Sequence, residues 1–403
     1  MQTSVPTSDA AVQRLAVRTT QAAFAIALAH GVTDAYVGFL PPLLPDLMAK
    51  HGLSIAGAST LAMLLSLATS FPQPFLGYLA DRIGRKPFVI LGPALSAGLL
   101  SLMGLAPTYV TLVALLLVGG LGAAAFHPPG ASLATRVNEG RGSGVRLSIF
   151  SFGGAAGYAL GPLLAVGAVD LFGLEGLWLA MIPGLLLCAL LWPLVPGGTS
   201  DGRMPMPPRP GELIRHLGGP LGLLFAISAL GAFVQRTFLT LEPIIIDQGG
   251  GSQGARAVAL TVYLSAQAMG TLTSGFLTDR MDRGRLLVGL TLLGAPAHWL
   301  AITLPPDSVG GVAAILAAGF LNMALLPPIV VTAQELLPAG AAVGSGIVMG
   351  LAWSVASVAL IIPGWLGDLV GPVRAGQLCA PVLLVGTLLA LHPSLRRATA
   401  TAG

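Results

Sequence analysis

The sequence GYLADRIGRKP, from Gly77 to Pro87, decides how the rest of the chain is interpreted. It lies between two long apolar runs, 55 to 79 and 88 to 106, so its charges belong in a tight turn at a membrane surface. Three of its residues are basic: Arg82, Arg85 and Lys86. Loops rich in Lys and Arg stay on the cytoplasmic side, so this turn predicts the sidedness of every other segment.

The composition predicts a protein that crosses a membrane many times. Hydrophobic residues make up 54% of 403 residues and charged residues only 9%, whereas a soluble domain has about 25% charged residues. About 20 apolar residues are needed to cross a bilayer. Twelve runs meet this requirement: 20–46, 55–79, 88–106, 109–134, 147–169, 176–196, 218–246, 255–278, 286–304, 310–333, 344–367 and 375–392.

The positive charge of the chain follows the predicted topology. Both termini are expected in the cytoplasm, and only four of the 20 Lys and Arg residues then fall outside cytoplasmic segments: Lys50, Arg236, Arg256 and Arg374. The net charge of +4 therefore indicates orientation and contact with membrane lipids rather than binding to nucleic acid. No nucleic-acid partner is expected.

An internal repeat divides the chain into two parts. At an offset of 201 residues, Pro42 matches Pro243 and Asp46 matches Asp247; at 198, Asp81 and Arg82 match Asp279 and Arg280. Offsets this constant predict two homologous six-helix bundles. We expect bundles at 1–196 and 218–403, joined by a cytoplasmic linker at 197–217.

Two charges near the middle of a predicted span are the strongest functional candidates, because such charges are costly in a membrane. Asp34 lies in the first span and Arg236 in the seventh, and the 201 offset aligns Asp34 with Gln235. We expect the carboxylate and the guanidinium to lie at similar depth across a cavity. Asp34 would exchange protons, and the planar fork of Arg236 suits an anionic substrate. The alternative is a structural ion pair that holds the halves together.

Polar residues near this pair are weaker candidates. His30 lies one helical turn from Asp34 and either assists proton exchange or donates to a backbone carbonyl. His127 precedes two prolines and either faces substrate or binds the carbonyls that they free. Gln235 and Asn322 are candidate substrate ligands, although Asn322, like Gln73 and Gln267, could instead form interhelical hydrogen bonds. Gate or surface roles are expected for Glu242, Asp247 and Glu335.

The sequence indicates neither a metal site nor a cofactor. Six histidines are scattered along the chain without a plausible ligand spacing. An enzyme would need a converging set of nucleophile, base or metal ligands, and none is found. A receptor would usually carry a signalling domain of at least about 50 residues, whereas the longest predicted internal loop has about 20 residues.

The spacing G-x-x-x-D-R-x-G-R-K resembles the signature turn between helices 2 and 3 of the major facilitator superfamily. The resemblance implies an all-α integral membrane fold of twelve helices in two pseudo-symmetric bundles, with a substrate site between them near the bilayer midplane. It also implies a conformational switch that holds the cytoplasmic side shut against helix 11. The matching switch residues are Gly77, Asp81, Arg82 and Arg85, with Asp279 and Arg280 in the repeat. A purely topological role for the basic residues is the alternative.

Three further motifs resemble the fosmidomycin resistance protein branch of bacterial drug exporters. They are the His30-x-x-x-Asp34 pair, the FHP of residues 126–128 and SIFSFGGAAGYALGPLLA at 148–165. This resemblance implies a monomeric inner-membrane exporter that exchanges a small drug-like molecule, with an anionic phosphonate as one candidate, for protons. The alternative is a proton-coupled transporter of a physiological organic anion or metal chelate. Pro129 stands where that branch commonly has an acid, which leaves His127 without an expected partner.

Overall fold

The computed structural model describes residues 8–137, 143–197, 217–337 and 341–400. These residues form helices and connecting turns, with no strand among them. Residues 198–216, almost all of the predicted linker, lie outside the described residues, so the domain boundaries stay a prediction.

Eight α-helices form the part of the chain before residue 197, called the first half here. They are α1 (Ser8–Val37), α2 (Leu40–His51), α3 (Ile55–Ser70), α4 (Gln73–Ile83), α5 (Arg85–Ser101), α6 (Tyr109–Val137), α7 (Ser143–Phe172) and α8 (Met181–Leu191). Short 3₁₀ helices at Leu102–Leu105 and Glu175–Ala180 follow α5 and precede α8.

Eleven α-helices form the described part after residue 217, called the second half. They are α9 (Pro220–Gln248), α10 (Gln253–Thr278), α11 (Arg283–Thr303), α12 (Val309–Met323), α13 (Leu326–Leu336), α14 (Ala341–Ser345), α15 (Ala352–Ala359), α16 (Ile361–Val370), α17 (Pro372–Cys379), α18 (Val382–Ala390) and α19 (Pro393–Ala400). A π-helical turn at Gly346–Leu351 joins α14 to α15.

Within the described residues, ten helical stretches are long and apolar enough to cross a membrane. Two of the twelve predicted spans do not qualify. Glu175–Leu191 is apolar but short, and α10 is long but is not among the ten. The interior of α10 carries Arg256, Gln267 and Ser274, which are buried against other helices instead of facing lipid. The predicted count of twelve is therefore not fully confirmed, although the all-helical membrane fold is.

Glycine allows α1 and α7 to pack backbone against backbone. A Cβ atom on Gly157 would overlap the carbonyl of Gly31, and one on Gly154 would overlap the ring of His30. Only glycine fits at such close contacts. The glycine-rich motif at 148–165 therefore fixes α7 against the functional face of α1.

The two halves meet firmly at one end of the molecule, called the closed end here. Arg256 of α10 binds Asp46 of α2 at 3.0 Å and lies 3.7 Å from Asp247 of α9. Asp368 of α16 accepts hydrogen bonds from the first two backbone amides of α3, at 2.7 and 3.3 Å. Carboxylates are favourable at a helix N-terminus, so this contact caps α3 across the interface.

Candidate functional site

The structure brings three ionisable side chains of the first half together. His30 Nε2 lies 3.2 Å from Asp34 Oδ2, as their spacing of four along α1 predicts. His127 Nε2, from α6, lies 3.4 Å from the other oxygen, Asp34 Oδ1. The side chains are 13%, 20% and 28% exposed for His30, Asp34 and His127, so the group is partly accessible. We call these three residues the acid–imidazole cluster.

The hydrogen bonds of His30 favour a proton within this cluster. His30 Nδ1 lies 2.9 Å from the carbonyl oxygen of Phe150, which can only accept, so Nδ1 carries a hydrogen. In a neutral imidazole, Nε2 would then be an acceptor facing the acceptor Oδ2 of Asp34. A proton between them, on His30 or on Asp34, removes this conflict. The His30 ring is held in place by stacking on Phe150, with ring centroids 4.3 Å apart.

His127 has a different partner from the one that the sequence suggested. Pro128 and Pro129 lie inside α6 without ending it. The side chain of His127 instead lies beside Asp34 of α1, an acid 93 residues away in the sequence.

The scattered sequence positions of the histidines concealed a set of possible metal ligands. One ligand atom from each member of the acid–imidazole cluster lies within 4.8 Å of the others. Two imidazoles and a carboxylate could hold an ion such as Zn²⁺.

Uncharged amides occupy the related position in the second half. Gln235 Nε2 donates to Gln267 Oε1 at 3.0 Å, Gln267 Nε2 donates to Asn322 Oδ1 at 3.5 Å, and Asn322 Nδ2 donates to the Gly231 carbonyl at 3.0 Å. All three side chains are buried, with at most 5% exposed. We call Gln235, Gln267 and Asn322 the amide network. Gln235 and Asn322, predicted as substrate ligands, bind other protein groups here. Gln73 donates within its own chain segment, to the Thr69 carbonyl at 2.8 Å.

Arg236 lies next to the amide network and has no acidic partner among the described residues. Its guanidinium carbon lies 5.4 Å from the ring centroid of Trp353, and its Nε is buried without an acceptor. The ion pair between Asp34 and Arg236 considered from the sequence is absent in this conformation, since the described ion pairs of Asp34 are with the two histidines. Tyr158 of α7 is close enough to interact electrostatically with both Asp34 and Arg236.

The signature turn is held within the first half in this conformation. Arg85 is buried and binds Asp81 through Nε and a terminal nitrogen, both at 2.6 Å. Arg82 lies over the ring of Tyr78, at 4.8 Å. A Cβ atom on Gly77 would lie 2.9 Å from Pro128 of α6, so this glycine permits close helix packing. The predicted switch against helix 11 stays a prediction.

The repeated turn uses a different ion pair. Asp279 and Arg280 are exposed, and Arg280 lies 3.5 Å from the ring centroid of Phe276. Arg283, the counterpart of Arg85, binds Glu335 at the end of α13. Glu335 is therefore paired with the repeated turn in this conformation.

A cavity of about 660 Å³ lies between α3, α6 and the helices near residue 355. Its lining is apolar apart from Ser354 and includes none of the predicted site residues. A smaller cavity adjoins the amide network and is lined by Gly231, Asn322 and Trp353, among others. The smaller cavity, rather than the larger one, lies beside the candidate chemistry.

The sequence profile of the Major Facilitator Superfamily matches residues 26–360. The chain belongs to this superfamily. It is a multi-pass membrane transporter and not an enzyme.

Several curated proteins resemble the chain over most of its length. The uncharacterized MFS-type transporter YfnC of Bacillus subtilis is 28% identical, with 98% of each chain covered. The fosmidomycin resistance protein of Escherichia coli is 26% identical, with 92% of each covered. The multidrug resistance protein MdtG of Escherichia coli is 35% identical over only about 40% of each chain.

Solved structures show the same fold at low sequence identity. A bacterial homolog of the human lysosomal transporter Spinster has a TM-score of 0.72 and 17% identity, covering 94% of this chain and 92% of that one. The nucleoside transporter NupG has a TM-score of 0.73 and 14% identity, covering 94% and 99%.

Proposed function

We propose that the protein is a proton-coupled secondary active transporter of the bacterial inner membrane that exports a small drug-like anion by alternating access. The observation that carries this proposal is the close approach of His30 Nε2 to Asp34 Oδ2, which favours a proton bound between them. An exchangeable proton within the spans of a membrane transporter is the element that coupling to a proton gradient needs.

Arg236 supports the anionic nature of the substrate. An arginine within a membrane span is costly unless a negative group compensates it, and no acid pairs with this one among the described residues. A carboxylate or phosphonate on the substrate would supply that charge in a bidentate geometry. The fosmidomycin resistance relative makes fosmidomycin a reasonable first compound to test.

Export by exchange requires that substrate and proton compete. Asp34 and His127 are partly exposed, which leaves them accessible to the polar end of a substrate. A substrate donor that hydrogen-bonds to the Asp34 carboxylate takes the place of the proton there. The proton is then released as the substrate binds.

The alternative is a proton-coupled transporter of a physiological organic anion or metal chelate. If the substrate reaches Arg236 only, its negative charge favours a proton on Asp34, and the two are carried together. The position of Tyr158 near both Asp34 and Arg236 favours such communication. The two candidates therefore differ in the sign of the proton change on binding.

Reconstituted vesicles test the proposal. Purified protein is inserted into liposomes, and a pH gradient is imposed in either direction with fosmidomycin as the probe. Exchange predicts that substrate moves against the proton flow and that a gradient of substrate drives protons the opposite way. Movement of both in one direction supports the alternative, and flux that ignores the pH gradient refutes proton coupling.

A further inference from the structure

Glu242 is a carboxylic acid enclosed in the membrane-spanning part of α9. Only 1% of this residue is exposed, and its Oε2 is buried without a hydrogen-bond partner. Across the described part of the chain, Glu242 forms no ion pair and no hydrogen bond through its side chain.

The surroundings of Glu242 are apolar. On the same face of α9, its neighbours one turn before and one turn after it lie in or against a single apolar cluster. This cluster also includes parts of α7, α10, α11 and α12. These neighbours are Phe238, Leu239, Ile245 and Ile246. Phe238 stacks on Tyr263 with ring centroids 4.2 Å apart, which closes this region further.

The titratable groups on the helices that pack against α9 are engaged elsewhere or lie at the surface. Near the closed end, Asp46 and Asp247 flank Arg256, and Lys50 donates to the Gly104 carbonyl at 2.6 Å. Tyr263 bonds to His298 at 3.0 Å. His51 and Arg374 lie at the closed-end termini of α2 and α17, and Cys379 is buried at the other end of α17. The remaining titratable groups lie at the opposite end of α9: Arg283, Arg285, Glu335, Arg396 and Arg397.

An ionised carboxylate in such a place is far more costly than the neutral acid, because neither water nor a cation stabilises its charge. Glu242 therefore carries a proton in this conformation. That proton is distinct from the one in the acid–imidazole cluster, which lies in the other half of the molecule.

The position of Glu242 links this proton to the closed end. Leu241 and Ile244, on either side of it, pack into the core of the first half. Pro243 follows it directly and lacks the N–H that would continue the helix ladder, which leaves α9 easier to bend here. The last turn of α9 carries Asp247, a neighbour of the closed-end Arg256. Opening this end must move the segment that encloses Glu242.

We propose that Glu242 is a second proton-binding site, which holds its proton while the closed end is shut and releases it when that end opens. Acid conditions then favour the closed state, because this state binds one more proton than the open one. One proton changes the ratio of closed to open molecules by at most about tenfold per pH unit. The inference does not depend on the role proposed for Asp34.

Distances across the closed end, measured as a function of pH, test this site. Spin labels at Leu171→Cys and Gln248→Cys, both on exposed positions at that end, report the closed and open populations of the full chain in lipid nanodiscs. The Glu242→Gln variant should stay closed as the pH rises. The change in its ratio of closed to open molecules should be smaller than that of the parent by up to about tenfold per pH unit. Glu175→Gln, at an 82% exposed side chain near the same end, is the matched control and should behave like the parent.

The same titration in an Asp34→Asn background separates the two proton sites. The effect of Glu242→Gln on the pH dependence should persist in that background. If the transport proposal fails, only the difference between the parent and Asp34→Asn changes. Should Glu242→Gln not fold, Glu242→Met, which also lacks a titratable proton and suits the apolar site, replaces it. Parent and variant titrations that coincide would overturn the proposal.

Discussion

The two halves place different chemistry at related positions. The 201 offset aligns Asp34 with Gln235 and His30 with Gly231. In the first half, Asp34 contacts two imidazoles, an arrangement that favours a bound proton. In the second half, Gln235, Gln267 and Asn322 satisfy one another without one.

The difference separates two tasks that a proton-coupled transporter must perform. The amide network contains no ionisable group, so its hydrogen bonds do not change with pH. The acid–imidazole cluster has two facing acceptors unless a proton lies between them, so its charge depends on whether that proton is bound. We infer that the first half carries the proton that is exchanged for substrate, and that the second half carries the fixed charge that binds substrate.

Asp34→Asn should have the largest effect on the difference between the two halves. It removes the ionisable carboxyl group and leaves an amide, as at Gln235 in the second half. We expect pH-gradient-driven flux to fall by at least about tenfold, the scale of a coupling of 1–3 kcal/mol. Folding should be retained, since asparagine still bonds to both histidines. Flux assays in vesicles, with Glu175→Gln as control, measure this. Unchanged gradient-driven flux would exclude Asp34 as the coupling group.

Arg236→Ala tests the fixed charge of the second half. Hydrogen bonds to charged groups contribute about 1.5–3 kcal/mol, so binding of an anionic substrate should weaken by about ten- to a hundredfold. Neutral compounds should lose much less. Substrate-dependent thermal stabilisation across anionic, neutral and cationic compounds measures the difference, with Arg236→Lys retaining part of the affinity. Equal losses for all classes would point to a structural role.

Gln235→Glu should make the second half resemble the first. When protonated, the introduced acid is nearly isosteric with glutamine. When ionised, it has no hydrogen to donate to Gln267 Oε1, so the hydrogen bond from position 235 is lost. The free energy of unfolding should fall by about 1–3 kcal/mol at neutral pH and recover as the pH is lowered. Thermal unfolding at several pH values checks this. A loss of stability that is the same at every pH would contradict the hydrogen bond from position 235 to Gln267 in the amide network.

Asn322→Ala should have the smallest effect on coupling. It leaves Gln267 Nε2 without its acceptor and removes the side-chain hydrogen bond to the Gly231 carbonyl, which should lower stability by about 1–2 kcal/mol. Proton-driven flux per folded molecule should remain close to that of the parent. A large loss of coupling in a folded variant would instead give Asn322 the substrate role that the sequence suggested.

Local and periodic features of the sequence predicted much of this structure. The spacing of four correctly placed His30 against Asp34, and the repeat identified Asp46 and Asp247 as counterparts, which both lie beside Arg256. The hydrophobic runs predicted ten of the spans. The predicted span at α10 is not among these ten, because polar residues that are buried between helices lower its hydropathy. Hydropathy alone does not distinguish such a helix from a segment that spans the membrane weakly.

Contacts that depend on three-dimensional packing could not be predicted. His127 is 93 residues from Asp34, and only the close packing of α1, α6 and α7 brings them together. The same packing assigns the Asp34 carboxylate to two histidines rather than to Arg236. The interhelical cap from Asp368 to α3 also escaped prediction, because nothing in either segment indicates a partner 313 residues away.

Proton release on substrate binding tests the central claim most directly. The purified protein in weakly buffered detergent, with a pH indicator dye, is mixed with the anionic compound that stabilises it most. The account predicts release of about one proton per bound substrate by the parent, because a substrate donor replaces the proton of the cluster, and none by Asp34→Asn. Equal release by both proteins would contradict it, since the proton would then come from elsewhere in the molecule.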